Sequence, residues 1–168
     1  MNNTIKIKGK RLRITSTKIE EAALYYENFT EEVVKYQLAN SFKSIKEAES
    51  FLQEFINLSI KGDNTMLSLW NEEDKFVGSI ELYNLKDECP EVGIWICEDE
   101  RKKGYAYEAL LLIKDFLKEN YKIEGLIFAA DILNIPSLQL VKKLNGKKMS
   151  FDIVSDFGKV LKLESYIF

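Results

Sequence analysis

Apolar and polar residues alternate along "IKIKGKRLRITS" (residues 5–16), which predicts a strand or a hairpin. The period then lengthens. Residues 17–28 read as a helix, with Thr17 as N-cap and Glu20 three residues on, the pattern of a capping box. A short second helix over 31–39 carries Val33, Val34 and Leu38. The segment "SIKEAESFLQEFINLSIKG" (44–62) is strongly amphipathic, capped by Ser44 with Glu47 at the reciprocal position and ended by Gly62. "TMLSLW" (65–70), "KFVGSIELYNL" (75–85) and "EVGIWIC" (91–97) return to strand patterning, and the short polar turns between them predict an antiparallel meander. A helix over 105–120 follows, with Ala106, Ala109, Leu110, Ile113 and Leu117 on one face. "IEGLIFAADI" (123–132) reads as a buried strand and "PSLQLVKKL" (136–144) as a helix with Pro136 in its first turn. "KKMSFDIV" and "KVLKLESYIF" close the chain as a strand pair. The order, in short β-α-α-β-β-β-α-β-α-β-β, predicts one mixed α/β (α+β) domain over residues 1–168.

Composition narrows the chemistry. With 46% apolar and 12% aromatic residues the chain can fill a core. Its net charge of −3 argues against nucleic acid as the main partner. No apolar run approaches the roughly 18 residues of a membrane span, and "MNNTIKIKGKRLRITS" lacks the apolar centre of a secretory signal, so the expected location is the cytoplasm. Cys89 and Cys97 fit no metal spacing and are expected to be reduced. The chain contains no histidine. Histidine-based triads and histidine-ligated metal sites are therefore excluded, and proton transfer falls to carboxylates, Lys, Tyr, Cys, Ser or water.

The segment before the 105–120 helix stands out. Arg101, Lys102 and Lys103 lead into Gly104 and then the helix. A helix N-terminus presents unpaired N–H groups and a partial positive charge, and glycine lets a ligand approach the main chain. The turn suits a phosphate group or, equally, a solvated charged loop. It is neither GxxxxGK[ST] nor GxGxxG.

"RKKGYA" (101–106) matches Arg/Gln-x-x-Gly-x-Gly/Ala, and here the chain resembles the GCN5-related N-acetyltransferase (GNAT) family, in particular the branch that acetylates ribosomal-protein N-termini and related amines. "EVGIWI" resembles the strand before the family's turn, "NIPSLQLVKKL" (134–144) its Asn-x-x-Ser helix entry, and "SIKEAESFL" (44–52) the helix upstream. The resemblance implies a mostly antiparallel central sheet of six to seven strands flanked by helices. It implies acetyl-CoA as co-substrate, with no metal, and an amine acceptor, either a protein N-terminus or a small amine. Arg101, Lys102, Lys103, Gly104, Tyr105 and Ala106 would bind the diphosphate, and main chain at Ile94, Trp95 and Ile96 the pantetheine arm. Asn134 would also contact the arm, and Ser137 would face the sulfur as the thiolate leaves. Glu91 is the expected proton acceptor, with Glu81 and Glu88 as rivals. Aromatic residues such as Tyr25, Phe29, Phe42 and Tyr83 would line the acceptor pocket or fill the core. "KKLNGKKM" (142–149) departs from the family's Glu-Lys-Leu-Gly-Phe run, with Lys142, Asn145 and Gly146 at the changed positions. A non-catalytic acyl-CoA-binding domain and a nucleotide-binding regulatory module are the alternative readings, and a homodimer is left open.

Overall fold

Residues 5–16 fold as a hairpin, β1 (Lys6–Lys8) and β2 (Leu12–Ser16), closed where the Gly9 amide donates to the Leu12 carbonyl at 2.7 Å. Among the described residues this raises the strand count from the expected six or seven to eight. The structure is a computed structural model that describes residues 4–168. Residues 1–3, part of the expected 1–168 domain and of the N-terminal stretch read above, lie outside the described residues. The other strands are β3 (Thr65–Asn71), β4 (Phe76–Tyr83), β5 (Glu91–Ile96), β6 (Ile127–Asp131), β7 (Lys147–Asp156) and β8 (Lys159–Ile167). They form one sheet in the order β1-β2-β3-β4-β5-β6-β8-β7. All neighbours are antiparallel except β5 and β6, which run parallel. The predicted meander over 65–97 is β3-β4-β5.

The α-helices among the described residues are α1 (Ala22–Asn28), α2 (Glu31–Val34), α3 (Ile45–Lys61), α4 (Tyr105–Tyr121) and α5 (Ile135–Lys143). The capping signals of α3 are realised: the Ser44 hydroxyl accepts from the Glu47 amide, and Gly62 takes the left-handed conformation at φ 75°. Two helix starts differ from expectation. Thr17 does not cap α1; its hydroxyl is buried within 2.9 Å of the Tyr25 and Ser68 hydroxyls, and a 3-10 turn (Ile19–Glu21) precedes the helix instead. The 31–39 helix is a single turn; past it the Gln37 amide donates to the Val34 carbonyl at 2.9 Å, and the carbonyls of Val34, Gln37 and Ala39 also accept from the Lys159 ammonium.

Strand alternation divides the core between the two faces of the sheet. Leu67, Leu69, Ile80, Leu82 and Val92 pack with Ala109, Leu110, Ile113 and Leu117 of α4 and with Val141 of α5. Met66, Phe76, Trp95 and Cys97 pack on the other face against α1, α2 and α3. Tyr25 and Phe29, considered above as pocket residues, are 1% and 4% exposed and belong to this second cluster. Among the described residues no helix is long and apolar enough to cross a membrane.

Candidate active site

The parallel pair at the sheet's centre is barely a pair. Glu91 opposite Ile127 is its one register position, joined where the Ile127 amide donates to the Pro90 carbonyl at 2.9 Å. Past Glu91 the two strands diverge and leave a wedge-shaped cleft. Cys97 donates its amide to the Val77 carbonyl on β4. Main-chain direction alternates along a strand, so Gly93 and Trp95 also turn theirs toward β4. Ile94 and Ile96 turn theirs toward the cleft, where they have no ladder partner among the described residues. Trp95 is anchored by its side chain, which packs on Tyr25, Phe29 and Phe76 at centroid distances of 5.7, 5.1 and 5.8 Å.

The basic turn stands at the open end of the cleft. Gly104 is exposed, takes φ 83° and is the N-cap of α4, with no side-chain cap. The first-turn amides of Tyr105, Ala106 and Tyr107 have no protein acceptor among the described residues. Lys102 is also left-handed, at φ 62°. The turn is braced from below by Glu100, 3% exposed, whose carboxylate accepts from Lys103 Nζ at 2.8 Å and Lys75 Nζ at 2.6 Å. Those two bonds hold the Glu100 carboxyl below its usual range. Lys103 is therefore tied down, and Arg101 lies 3.9 Å from Glu32, which leaves Lys102 as the freest of the three cations.

Arg11 is a brace that the sequence pattern did not reveal. Its guanidinium donates to the Lys103 carbonyl and to Glu108 Oε2, both at 2.8 Å, while its amide donates to Glu108 Oε1 at 2.8 Å. It thus ties the β1–β2 hairpin to the turn and to the first helical turn of α4. Glu108 lies four residues past Gly104, but nothing local in the sequence links it to Arg11.

Across the cleft, Asp131 shapes the entry to α5. It is 3% exposed; Oδ1 accepts from the Leu133 amide at 2.9 Å and Oδ2 from the Lys162 amide at 2.8 Å. Asn134 follows as the N-cap, its side-chain oxygen accepting from the Ser137 amide at 3.3 Å. Ser137 is half-buried, and its one hydrogen bond in the site is the amide's donation to Asn134. The altered segment after α5 still terminates the helix: Asn145 takes φ 58°, which asparagine tolerates better than most residues, and the Gly146 amide donates to the Val141 carbonyl at 2.9 Å.

Glu91 sits exposed at the vertex where the strands meet. Glu81 lies on β4 on the α1–α3 face of the sheet, with Tyr83 donating to its Oε2 at 2.9 Å; burial pushes the Glu81 carboxyl up. Cys97 is 1% exposed and burial raises its thiol to about 12, which suits an inert core residue rather than a nucleophile. A separate cavity of about 380 Å³ lies at the Thr65 end of the sheet, away from the turn, lined in part by Ser16, Leu52, Ser59 and Met66.

This arrangement has known counterparts. The acetyltransferase (GNAT) domain family matches residues 11–147. An uncharacterized N-acetyltransferase, p20, of Bacillus licheniformis is 24% identical over 143 residues, 83% of this chain and 80% of that one. The fold superposes on a Salmonella typhimurium acetyl transferase that modifies the N-terminal serine of ribosomal protein L7/L12, at a TM-score of 0.87 and 13% identity over 98% of both chains. It also superposes on spermidine N-acetyltransferase from Vibrio cholerae, solved with CoA and spermine, at a TM-score of 0.82 and 12% identity over 95% of this chain and 96% of that one. The family match spans most of the sequence, from the β1–β2 hairpin to the start of β7, and on that ground the chain belongs to the GNAT acetyltransferase family, whose class of activity is acetyl transfer from acetyl-CoA.

Proposed function

We propose that the chain moves an acetyl group from acetyl-CoA to a primary amine, a protein N-terminus or a small amine, by direct attack of the amine nitrogen on the thioester carbonyl. The observation that carries this reading is the single β5–β6 register pair with the Gly104 turn at the open end of the cleft. An extended acyl chain fits between diverging strands whose main chain lacks partners, and a diphosphate fits an uncapped helix N-terminus. The residues fit the donor on two counts: the α4 amides are free, and Gly104 is exposed in a left-handed conformation that keeps the approach bare.

In this reading the amides from Lys102 to Tyr107 hold the diphosphate, with Arg101, Lys102 and Lys103 setting the local field. Main chain at Ile94 and Ile96 holds the pantetheine arm while Trp95 fixes the strand beneath it. An amide near Ile96 facing the thioester oxygen would stabilise the charge that develops there during attack. Asn134 orders the entry to α5, and the Ser137 hydroxyl is free to hydrogen-bond the departing sulfur. A thiol ionises near 8.5, so the sulfur leaves with little proton help. Glu91, exposed at the cleft's vertex, accepts the proton that the amine loses, directly or through a water.

A thermal-shift measurement with acetyl-CoA, followed by free-thiol release with a panel of primary amines, tests this function. Stabilisation together with amine-dependent thiol release is the expected result. Stabilisation without release from any amine would leave only an acyl-CoA-binding domain, and stabilisation by ATP but not CoA would point to a nucleotide module. Glu91→Gln is expected to keep the acetyl-CoA shift and to lower turnover by about tenfold or more, since positioned proton transfer contributes on the order of 10²–10⁴ in rate. Normal turnover of Glu91→Gln would remove its assigned role.

A further inference from the structure

The two edges of the sheet are unlike. β1 is three residues long with Lys6 and Lys8 exposed, the short and charged kind of edge that resists pairing with another chain. β7 is ten residues long and pairs only with β8, so one whole side of its main chain has no ladder partner among the described residues. It contains no proline, and its one irregularity lies between Lys148 and Ser150, which leaves residues 150–156 a regular run.

One face of this edge is apolar and uncovered. Phe151 and Ile153 stand opposite Glu164 and Lys162 of β8. Glu164 in turn stands opposite Ala130, which packs in the α4 cluster, so Phe151 and Ile153 lie on the α4–α5 side of the sheet. Val160, two residues before Lys162, shares that side. The three are 48%, 65% and 66% exposed, so no helix covers them. Leu133 and Ile135, also exposed, adjoin them where the Ile132 amide donates to the Lys162 carbonyl at 2.9 Å. With Met149 at the bulge, these side chains offer roughly 700 Å² of largely apolar surface, near the share one partner brings to a stable interface. An isolated protein rarely leaves so large a patch bare.

The other face carries charge that suits a copy of itself. Lys147, Asp152 and Asp156 stand opposite Ile167, Leu163 and Lys159, alternate positions of β8, so all three share the α1–α3 side. The basic residue lies at the start of β7 and the acidic ones toward its end. Lys147 is exposed and has no ion-pair partner among the described residues. Two copies of β7 running antiparallel about Phe151 set Lys147 of each diagonal to the acidic pair of the other, within reach of a long side chain. A parallel alignment would set like charges together.

We propose that β7 pairs antiparallel with β7 of a second copy of this chain, so that one continuous sheet runs through a two-fold symmetric dimer. The dyad stands at Phe151, perpendicular to the sheet, and Met149, Phe151 and Ile153 of both copies meet across it. Such an isologous contact closes at two and leaves no β7 edge open. β8 and β6 lie between β7 and the wedge, so the cleft of each copy stays accessible.

Sedimentation velocity of the whole protein at about 1–100 µM, a range that brackets a micromolar Kd, is expected to give the mass of two chains. Ile153→Lys, a change at an exposed position, is expected to raise the dissociation constant at least about 100-fold and to leave the circular dichroism spectrum unchanged. Lys147→Glu and Asp152→Lys each bring like charges together across the dyad and weaken association. Mixed one to one, the two variants restore it, because each altered charge then meets its opposite. Wild type that sediments as a single chain at the top of the range overturns the proposal and leaves the patch to an unrelated protein. An Ile153→Lys protein that dimerises like wild type, or a mixture that recovers nothing, also overturns it. Self-association is read without acetyl-CoA or amine, so its outcome is independent of the acetyl-transfer assay.

Discussion

Gly104→Glu is expected to abolish stabilisation by CoA and acetyl-CoA and to reduce acetyl transfer at least about 100-fold, equivalent to roughly 2.7 kcal/mol of binding. Two effects act together. Gly104 occupies φ 83°, which a side chain adopts at a cost of about 1–2 kcal/mol. The new carboxylate would also stand among the α4 amides, where a doubly charged diphosphate is to bind, and would replace attraction with repulsion. The added Cβ would lie 3.3 Å from Arg11 Nη2, a flexible group that can yield, so the fold is expected to survive. Gly104→Ala separates the two effects: it carries the strain without the charge and should weaken CoA binding less. Isothermal titration of CoA into both variants, with circular dichroism as the check on folding, measures the difference. Equal affinity in wild type and Gly104→Glu would remove the diphosphate from this turn.

The largest stability effect is expected at Tyr25. Its ring is 1% exposed and packs on Phe76 at 5.2 Å and on Trp95 at 5.7 Å. Its hydroxyl lies 2.9 Å from those of Thr17 and Ser79 and 3.1 Å from that of Ser68, and Ser68 in turn donates to the buried Glu21. This polar knot ties α1 to β3 and β4 beneath Trp95, the residue that fixes β5 along the cleft. Tyr25→Ala leaves a cavity and several hydroxyls short of a partner, and should cost about 4 kcal/mol. For a chain of this size that is on the order of 10 °C in melting temperature. Tyr25→Phe keeps the packing and loses only the hydrogen bonds, a cost of about 1–2 kcal/mol. Thermal and urea denaturation of the pair would check both values; a Tyr25→Phe as damaging as Tyr25→Ala would shift the weight from packing to the hydroxyl knot.

What the sequence made legible was local. Ser44, Glu47 and Gly62 mark both ends of α3, because capping and left-handed termination involve residues within four positions of each other. The RKKGYA turn is likewise one contiguous stretch, and its free amides follow from where α4 begins. Thr17 misled, since the hydroxyl that could cap a helix bonds instead to Tyr25 and to Ser68, 51 residues away. Arg11 was invisible for the same reason: its partners Lys103 and Glu108 lie 92 and 97 residues on. The segment that follows the one-turn α2 is held by Lys159, from the far end of the chain. Glu81 was only a rival to Glu91 in the sequence. Its place opposite Gly93 comes from register, which cannot be read without the sheet.

The most direct measurement is a crystal structure of the protein with CoA bound. The account predicts the diphosphate against the amides from Lys102 to Tyr107, and the pantetheine arm lying in the wedge along Ile94 and Ile96. Density for CoA at any other place, with the Gly104 turn bare, would contradict it.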